Sequence, residues 1–192
     1  MASRRPLKID LGCGTTKRGT DYVGVDVIDA EEVDVVGDVT EVLRSLEDET
    51  VAEIYSSHLF EHIDDLDALM REVERVLAVG GRLHVVVPHF SNAYFYSDPT
   101  HRRPFGLYTF SYFAEDPVLR RRVPTYDHDV RLRLESVRLH FRSSTEFRTR
   151  YRMKEALGRL INANAWLKEF YEENLYAVLP CYELEFELVK VS

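Results

Sequence analysis

Two short apolar runs near the start of the sequence are joined by only ten residues, Gly12 to Asp21, and three of those ten are glycines. A crossover between neighbouring parallel strands normally needs a dozen or more residues and contains a helix. The stretch KIDLGCGTTKRGTDYVGVDV therefore predicts a strand, a sharp glycine turn and a second strand, with no room for a full helix between them. This combination favours an α/β sheet whose first crossover is unusually short.

Short runs rich in Val, Ile and Leu alternate with other segments, which is typical of a parallel sheet covered on both faces. The predicted strands are Leu7–Leu11, Tyr22–Val27, Val33–Val36, Ala52–Ser56 and Arg82–Val87. Between the last two strands, apolar residues recur every three or four positions from Ile63 to Leu77, which predicts a helix. Asp64 or Asp65 can cap its start, and Gly80-Gly81 is predicted to end it.

The second half of the sequence has a different pattern. Tyr, Phe, His, Pro and Arg crowd into His89–Phe113, here called the aromatic segment, which predicts a long functional loop with a short helix. A strand or hairpin is predicted around Leu132 to Arg152, and a helical region from Lys154 to Ala177. The final stretch YELEFELVKV alternates apolar and acidic residues, which predicts an edge or near-edge strand. The apolar positions predicted to lie in the core near the last helix are Met153, Leu157, Leu160, Ile161 and Trp166.

Composition limits the classes of partner. The 192 residues are 45% hydrophobic, enough for one domain, residues 1–192, with a substantial core. A net charge of −8 disfavours nucleic acid and anionic membrane surfaces as partners. The two cysteines, Cys13 and Cys181, form no zinc pattern or disulfide framework, which suits a reducing compartment. With no signal-peptide pattern and no apolar stretch near the roughly 18 residues that span a bilayer, we expect a cytoplasmic protein. The sequence does not determine its oligomeric state.

The glycine turn and the acid after it indicate a nucleoside ligand. Gly12 and Gly14 let the backbone approach a ligand without an intervening Cβ. A dinucleotide fingerprint also needs a third glycine at a helix start to seat the pyrophosphate, but Thr16 and Lys17 stand there instead. Asp26, at the end of the second strand, is still placed to accept hydrogen bonds from two ribose hydroxyls. A ligand with ribose and adenine but no phosphate, such as S-adenosyl-L-methionine (SAM), explains this combination best.

Several segments, in this order, resemble the class I SAM-dependent methyltransferases: IDLGCG, GVDV, GDV, IYSSHLFEHI and RVLAVGGRLHVVVP, over roughly residues 7–90. The later stretches SDPTHRRPF and AVLPCYELEFEL are similar to a small bacterial and archaeal type with a shortened first helix. The resemblance implies a Rossmann-like, doubly wound, mostly parallel α/β sheet with an antiparallel C-terminal strand. It also implies SAM as cofactor, no metal, and methylation of a small-molecule, glycan or natural-product acceptor on oxygen or nitrogen. No helices precede the first strand, so the lid over the cofactor is expected to come from elsewhere.

The resemblance also assigns roles to individual residues. The implied cofactor contacts are Asp10, Gly12 and Gly14 for the methionine moiety, Asp26 for the ribose, Asp38 and the amide of Val39 for adenine, and Ser57 with His58 beside the sulfonium. Two of these have a structural alternative, since Asp26 could cap a turn and Asp38 could cap the helix beginning near Thr40. The pair Glu61-His62 is expected to organise the start of a helix and not to perform chemistry.

An acceptor hydroxyl or protonated amine would need a general base, and histidine is the commonest choice because it titrates near neutral pH. The candidates are His58, His89 and His101. We favour His89 and His101, because open α/β sheets bind ligands beyond the carboxyl ends of their strands and these two follow such an end. A role in orienting the substrate remains open for both.

The aromatic segment is predicted to form the acceptor site. Its predicted acceptor-binding residues are Tyr94, Tyr96, Arg102 and Arg103. The two arginines favour an acceptor with a carboxylate or phosphate, although they could instead pair with the chain's own acids, such as Asp98 or Glu115. Two other functions stay open: a SAM-binding partner or sensor protein without catalysis, and a nicotinamide-dependent oxidoreductase, which the missing third glycine disfavours.

Overall fold

A computed structural model describes residues 6–125, 131–142 and 148–191 of the chain. The strands are β1 (Leu7–Leu11), β2 (Val23–Asp26), β3 (Val35–Val36), β4 (Val51–Ser57), β5 (Leu77–Pro88), β6 (Leu132–His140) and β7 (Glu183–Lys190). They form one sheet in the order β3-β2-β1-β4-β5-β7-β6. The first five strands pair in parallel, and β7 runs antiparallel to both β5 and β6. The predicted fold class is therefore confirmed.

Helices and short helical turns connect these strands. The α-helices are α1 (Val39–Arg44), α2 (Leu66–Val76), α3 (Arg148–Ile161) and α4 (Ala165–Asn174). Single 3-10 turns cover Phe60–His62, Phe95–Ser97 and Phe110–Tyr112, the last two within the aromatic segment. None of the helices in the described ranges has both the length and the apolar character that crossing a bilayer requires.

The first crossover contains no helix, as the sequence predicts. Turns and bends fill residues 12–22, between β1 and β2. The Asp10 carboxylate accepts the Arg18 backbone N–H at 2.7 Å, and the Arg18 guanidinium lies 4.0 Å from the centroid of the Tyr55 ring. Side chains of β1 and β4 thus hold this short connection, and no helix N-terminus stands behind the glycine turn.

The helix α2 begins where the sequence places it but ends earlier. The Asp65 side chain caps it by accepting the Ala68 N–H at 3.0 Å. Its buried residues are Leu66, Leu69, Met70, Val73 and Val76, all on the predicted apolar face. The chain then passes directly into β5 at Leu77, so the prediction that Gly80-Gly81 ends the helix is wrong.

Gly80-Gly81 lies inside β5, at an irregularity of the β4–β5 ladder. Val51 pairs with Leu77, and the next paired residues are Glu53 and Arg82. Gly80 has a φ of +81°, and a Cβ on Gly81 would lie 2.7 Å from the Ala78 carbonyl oxygen. The two glycines therefore allow extra residues to bulge out of the strand, which explains their presence without a helix cap.

Two predictions for the C-terminal half need correction. The predicted strand or hairpin around Leu132 to Arg152 is β6, which ends at His140, while residues 148–152 belong to α3 and residues 143–147 lie outside the described ranges. The helical region predicted from Lys154 to Ala177 is two helices, because the Asn164 side chain starts α4 by accepting the Leu167 N–H at 2.9 Å. The near-edge prediction for the last strand is confirmed, since β7 lies second from the edge.

The predicted core positions near α3 and α4 are mostly exposed. Ile161 is buried, but the side chains that lie on the surface are Met153, Leu157, Leu160 and Trp166. The buried residues of α3 are Gly158 and Ile161, and a Cβ on Gly158 would lie 3.0 Å from the Phe141 ring. Because α3 packs through this narrow stripe, its remaining apolar residues stay in contact with solvent.

Part of the aromatic segment belongs to the hydrophobic core. Phe105 and Phe110 are fully buried, and the ring of Phe110 lies 4.7 Å from that of Phe186 on β7. The segment is therefore anchored onto the sheet, which fixes the residues that precede Phe105.

Candidate active site

The glycine turn leaves β1 at the carboxyl edge of the sheet. Gly12 and Gly14 have φ angles of +72° and +54°, a left-handed conformation that favours glycine. The Gly12 N–H donates to the Val25 carbonyl oxygen at 2.8 Å, which ties the turn to β2. A Cβ on Gly12 would lie 2.8 Å from Leu59 Cβ, whereas a Cβ on Gly14 would meet no heavy atom of the described residues within 4 Å. Gly12 thus serves packing, while Gly14 leaves room for a ligand beside the strand ends.

Asp26 ends β2 and braces the same turn. Its Oδ2 accepts the Gly14 N–H at 2.8 Å, and its Oδ1 accepts the Ile28 N–H at 2.9 Å. Each carboxylate oxygen has a second lone pair, so both can also accept hydrogen from a hydroxyl. Asp26 therefore caps the turn, as the structural alternative predicts. Turn capping leaves lone pairs for a ribose, and ribose binding stays a prediction.

Asp10 and Asp38, two further predicted cofactor contacts, also serve the fold. Asp10 is buried, and this burial is the main cause that raises its pKa above the usual value for a carboxyl group. Asp38 caps α1, because its Oδ1 accepts the N–H groups of Thr40 and Glu41 at 2.9 and 3.1 Å. Val39 begins the helix with a buried side chain. The adenine contacts of Asp38 and Val39 stay predictions.

Beyond Ser57, the last residue of β4, His58 has a left-handed φ of +57°, which is uncommon for a residue with a side chain. Its N–H donates to the Val86 carbonyl oxygen at 2.9 Å. Its imidazole lies between two carboxylates, with Nε2 at 3.4 Å from Glu183 Oε2 and Nδ1 at 3.2 Å from Glu61 Oε1. Hydrogen bonds to Glu183 and Glu61 raise the pKa of His58 to about 9. A ring protonated at neutral pH cannot accept a proton, so His58 is a poor general base.

His89 follows β5 at the expected edge but is completely buried. The Ser91 N–H donates to Nδ1 at 3.0 Å, which places the ring hydrogen on Nε2, and Nε2 donates to Glu172 Oε2 at 3.1 Å. The same carboxylate oxygen accepts the Leu107 N–H at 2.8 Å. Both ring nitrogens are thus engaged in joining the aromatic segment to α4. This geometry gives no support to His89 as a general base.

His101 keeps one ring nitrogen available. Its Nδ1 lies 2.8 Å from the Phe95 carbonyl oxygen, which can only accept, so the hydrogen-bond network assigns the ring hydrogen to Nδ1. A lone pair therefore remains on Nε2. The ring also stacks on Phe95 at 4.8 Å. On either side of the buried Phe95, Tyr94 and Tyr96 are 72% and 71% exposed, so the segment presents two aromatic faces near this histidine.

Arg102 and Arg103 both contact Asp64, at the start of the connection to α2. Arg102 Nε lies 3.2 Å from Asp64 Oδ1, and Arg103 Nη2 donates to the Asp64 carbonyl oxygen at 2.7 Å. The Asp64 carboxylate thus pairs with Arg102, in place of the expected Asp98 or Glu115, whereas Arg103 is held by the main-chain oxygen of Asp64. An acceptor anion would have to displace these contacts, and acceptor binding by the two arginines stays a prediction.

The fold brings together three residues that no sequence pattern groups: Glu61, His62 and His101. A potential ligand atom from each lies within 4.8 Å of the others. The Arg102 N–H donates to the Glu61 carbonyl oxygen at 2.7 Å, which holds the aromatic segment against the 3-10 turn Phe60–His62. The sequence signal for this cluster is the dipeptide Glu61-His62, which directly follows the buried Phe60. Its partner His101 could not be identified without the path of the aromatic segment.

The carboxyl edge of the sheet fits a nucleoside ligand. There is room beside Gly14, and Asp26 retains acceptor lone pairs one strand away. The connection behind the turn has no helix whose N-terminus could seat a pyrophosphate. These features agree with the sugar and base of SAM and disagree with a dinucleotide.

Solved structures of methyltransferases share this fold. A SAM-dependent methyltransferase from Archaeoglobus fulgidus is 20% identical with a TM-score of 0.59, over 95% of this chain and 85% of that one. A protein described as a methyltransferase from Bacillus halodurans C-125 is 15% identical with a TM-score of 0.55, over 100% and 96%. The methyltransferase in complex with the Trm112 activator of Haloferax volcanii is 16% identical with a TM-score of 0.54, over 97% and 83%. At these identities the likeness shows the fold.

Part of the sequence also matches a family model. Residues 9–85 match the family model described as a methyltransferase domain, a range that contains the glycine turn, Asp26 and the end of β4. A search of curated proteins gave no match. Together, the family model and the strand order support a methyltransferase of the class I SAM-dependent type, with S-adenosyl-L-methionine as its cofactor.

Proposed function

We propose that the chain acts as one methyltransferase domain that methylates an oxygen or nitrogen atom of a small-molecule, glycan or natural-product acceptor. The observation that carries this proposal is the position of His101. Its ring lies 4.8 Å from that of His62, in the turn that follows the end of β4, and its own segment exposes Tyr94 and Tyr96. The contact of His101 with the turn after β4, and the exposed tyrosines of its own segment, support a role for this imidazole at the acceptor site.

On the cofactor side, the chain's residues bind and orient. The backbone of the glycine turn and Asp10 would hold the methionine moiety, Asp26 the ribose, and Asp38 with Val39 the adenine. Ser57 and His58 would border the sulfonium. When bound, SAM supplies the methyl group, whose bond to sulfur breaks as the acceptor lone pair forms the new bond. Holding the reacting atoms in near-attack geometry can contribute on the order of 7–11 kcal/mol to such a transfer.

On the acceptor side, Tyr94 and Tyr96 offer faces for a sugar ring or a planar group. The proton of the acceptor hydroxyl or ammonium passes to His101 Nε2, and the resulting imidazolium is stabilised by Asp98, whose Oδ2 lies 3.7 Å from that nitrogen. Arg102 and Arg103 would bind a carboxylate or phosphate of the acceptor in exchange for their contacts with Asp64.

The test is to replace His101 with glutamine and to compare it with His140→Gln. His140 is a suitable control because it also contacts a carboxylate, with Nε2 at 2.7 Å from Glu185 Oε2, but lies at the end of β6. An acceptor is first found by screening sugars, phenols and amines for release of S-adenosylhomocysteine. We expect His101→Gln to bind SAM normally and to lose about 100-fold or more in turnover, the range for a lost general base.

Unchanged turnover in His101→Gln would remove this histidine from the acceptor site. A wild-type protein that binds SAM but methylates no acceptor in the screen would support the alternative of a SAM-binding partner or sensor. The oxidoreductase alternative has lost support, because the connection behind the glycine turn lacks the helix that would seat a pyrophosphate.

A further inference from the structure

We propose that Glu61, His62 and His101 form a binding site for a divalent transition-metal ion, with a carboxylate oxygen and two imidazole Nε2 atoms as ligands. No metal was expected from the sequence, in which His101 lies far from the adjacent pair Glu61-His62. Binding of the ion does not depend on the proposed function. Only its role toward the acceptor, given below, rests on that function.

The geometry places three ligand atoms around one point. One potential ligand atom from each residue, a ring nitrogen of each histidine and a carboxylate oxygen of Glu61, lies within 4.8 Å of the other two. Zinc–nitrogen bonds are about 2.0–2.1 Å long, so each atom would have to move inward by roughly 0.7 Å at most. Side-chain rotation can supply such a movement, because His62 and His101 are only partly buried.

Hydrogen bonds fix both histidines in the tautomer that a metal needs. The Nδ1–H of His101 donates to the Phe95 carbonyl oxygen at 2.8 Å. The Thr100 hydroxyl donates to Asp98 Oδ1 at 2.6 Å, so its oxygen accepts the Nδ1–H of His62 at 2.9 Å. Both rings therefore keep their lone pair on Nε2. Metal-binding histidines in proteins are oriented in this way, by donating their other N–H to a carbonyl or a carboxylate-linked group.

Glu61 supplies an independent observation that points to a cation. Its side chain is completely buried, and Oε1 lies 3.2 Å from His58 Nδ1. The other oxygen, Oε2, has no hydrogen-bond partner among the described residues. Buried carboxylate oxygens without a partner are rare because their desolvation is not compensated. A bound cation would compensate it.

The ligand set indicates the class of ion. Two imidazoles and one carboxylate suit Zn²⁺, Mn²⁺, Fe²⁺ or Co²⁺, whereas Ca²⁺ and Mg²⁺ prefer oxygen ligands throughout. Three protein ligands leave coordination positions open, and the acceptor hydroxyl could occupy one of them. In the metal-bound state His101 would be a ligand and not a base, and the ion itself would make the bound hydroxyl more acidic.

The experiment measures metal binding directly, without SAM or acceptor. Wild-type protein is stripped with a chelator and titrated with Zn²⁺ by calorimetry, and with Co²⁺ by visible absorption. We expect one ion per chain, bound at least 100-fold more weakly by His62→Gln and by His101→Gln. Thr100→Val should lose about 10- to 100-fold, because it removes only the group that orients His62. The control His140→Gln should bind as wild type does.

Glu61→Gln is examined by circular dichroism first, because Glu61 is buried. The histidine and Thr100 variants keep the test independent of whether Glu61→Gln folds. Absence of saturable Zn²⁺ binding by the wild type would overturn the proposal. Wild-type affinity for Zn²⁺ in both His62→Gln and His101→Gln would overturn it as well. A parallel SAM titration separates the two proposals. If the wild-type protein binds SAM but not Zn²⁺, only the metal-site proposal fails. If it binds Zn²⁺ but not SAM, only the proposed function fails.

Discussion

Replacing Asp26 with alanine removes the carboxylate that is proposed to bind the ribose. The side chain is only 9% exposed and already accepts the N–H groups of Gly14 and Ile28, at 2.8 and 2.9 Å. The substitution therefore acts on the turn as well as on the ligand. The two effects have different signatures and can be measured separately.

The magnitude follows from the hydrogen bonds that are lost. A hydrogen bond to a charged group contributes about 1.5–3 kcal/mol, so losing the ribose contact should weaken SAM binding by that amount. This corresponds to an increase of about 10- to 150-fold in Kd. The Gly14 N–H is also left without its partner, which should lower the free energy of unfolding by about 1–3 kcal/mol.

The assay is calorimetric titration of SAM, well below the melting temperature of each variant. Asp34→Ala is the matched control, because Asp34 Oδ2 also accepts a backbone N–H of β2, that of Gly24 at 2.7 Å, and lies 2.7 Å from Lys17 Nζ in the first crossover. Asp34→Ala should lower stability and leave the affinity for SAM within about twofold of wild type. If Asp26→Ala also lost stability and kept wild-type affinity, Asp26 would be a turn cap and not a ribose ligand.

Two further predictions concern the residues around the pocket. Gly12→Ala should destabilise the protein more than Gly14→Ala in thermal denaturation, because both have left-handed φ angles but only a Cβ on Gly12 would collide with Leu59, at 2.8 Å. Equal losses would contradict this packing role. The pKa of His58 is raised from 6.5 to about 9. The stabilisation from its charged contacts is therefore fully present below the unfolded-state pKa of 6.5, and it is lost as the pH rises through about 9. His58→Gln should therefore lower the melting temperature more at about pH 6 than at about pH 10, and the same difference at both pH values would refute the assignment.

Local patterns in the sequence predicted most of the sheet. The short Val, Ile and Leu runs and the helix-free first crossover reflect constraints within a few residues, and so does the alternation in β7. Gly80-Gly81 shows where such patterns fail. A glycine pair after an amphipathic helix has the local features of a helix end. Because β5 pairs with the distant β4, however, the two glycines lie within the strand, at an irregularity of the ladder.

In the candidate site, too, the features set by local patterns were predicted, and those set by long-range packing were not. Gly12, Gly14 and Asp26 come together because adjacent parallel strands end at one edge, which sequence order alone predicts. The burial of His89 and its bond to Glu172 depend on where α4 packs, which no local pattern specifies. The approach of His101 to Glu61 likewise depends on how the aromatic segment crosses the strand ends.

The most direct test of the central claim, that the carboxyl edge of this sheet binds SAM, is calorimetric titration of SAM and of NAD into the wild-type protein. We expect SAM to bind at one site per chain and S-adenosylhomocysteine to compete with it. Because a ligand that binds only the native state raises the melting temperature, SAM should also stabilise the protein, and NAD should not. Binding of NAD without binding of SAM would contradict the account.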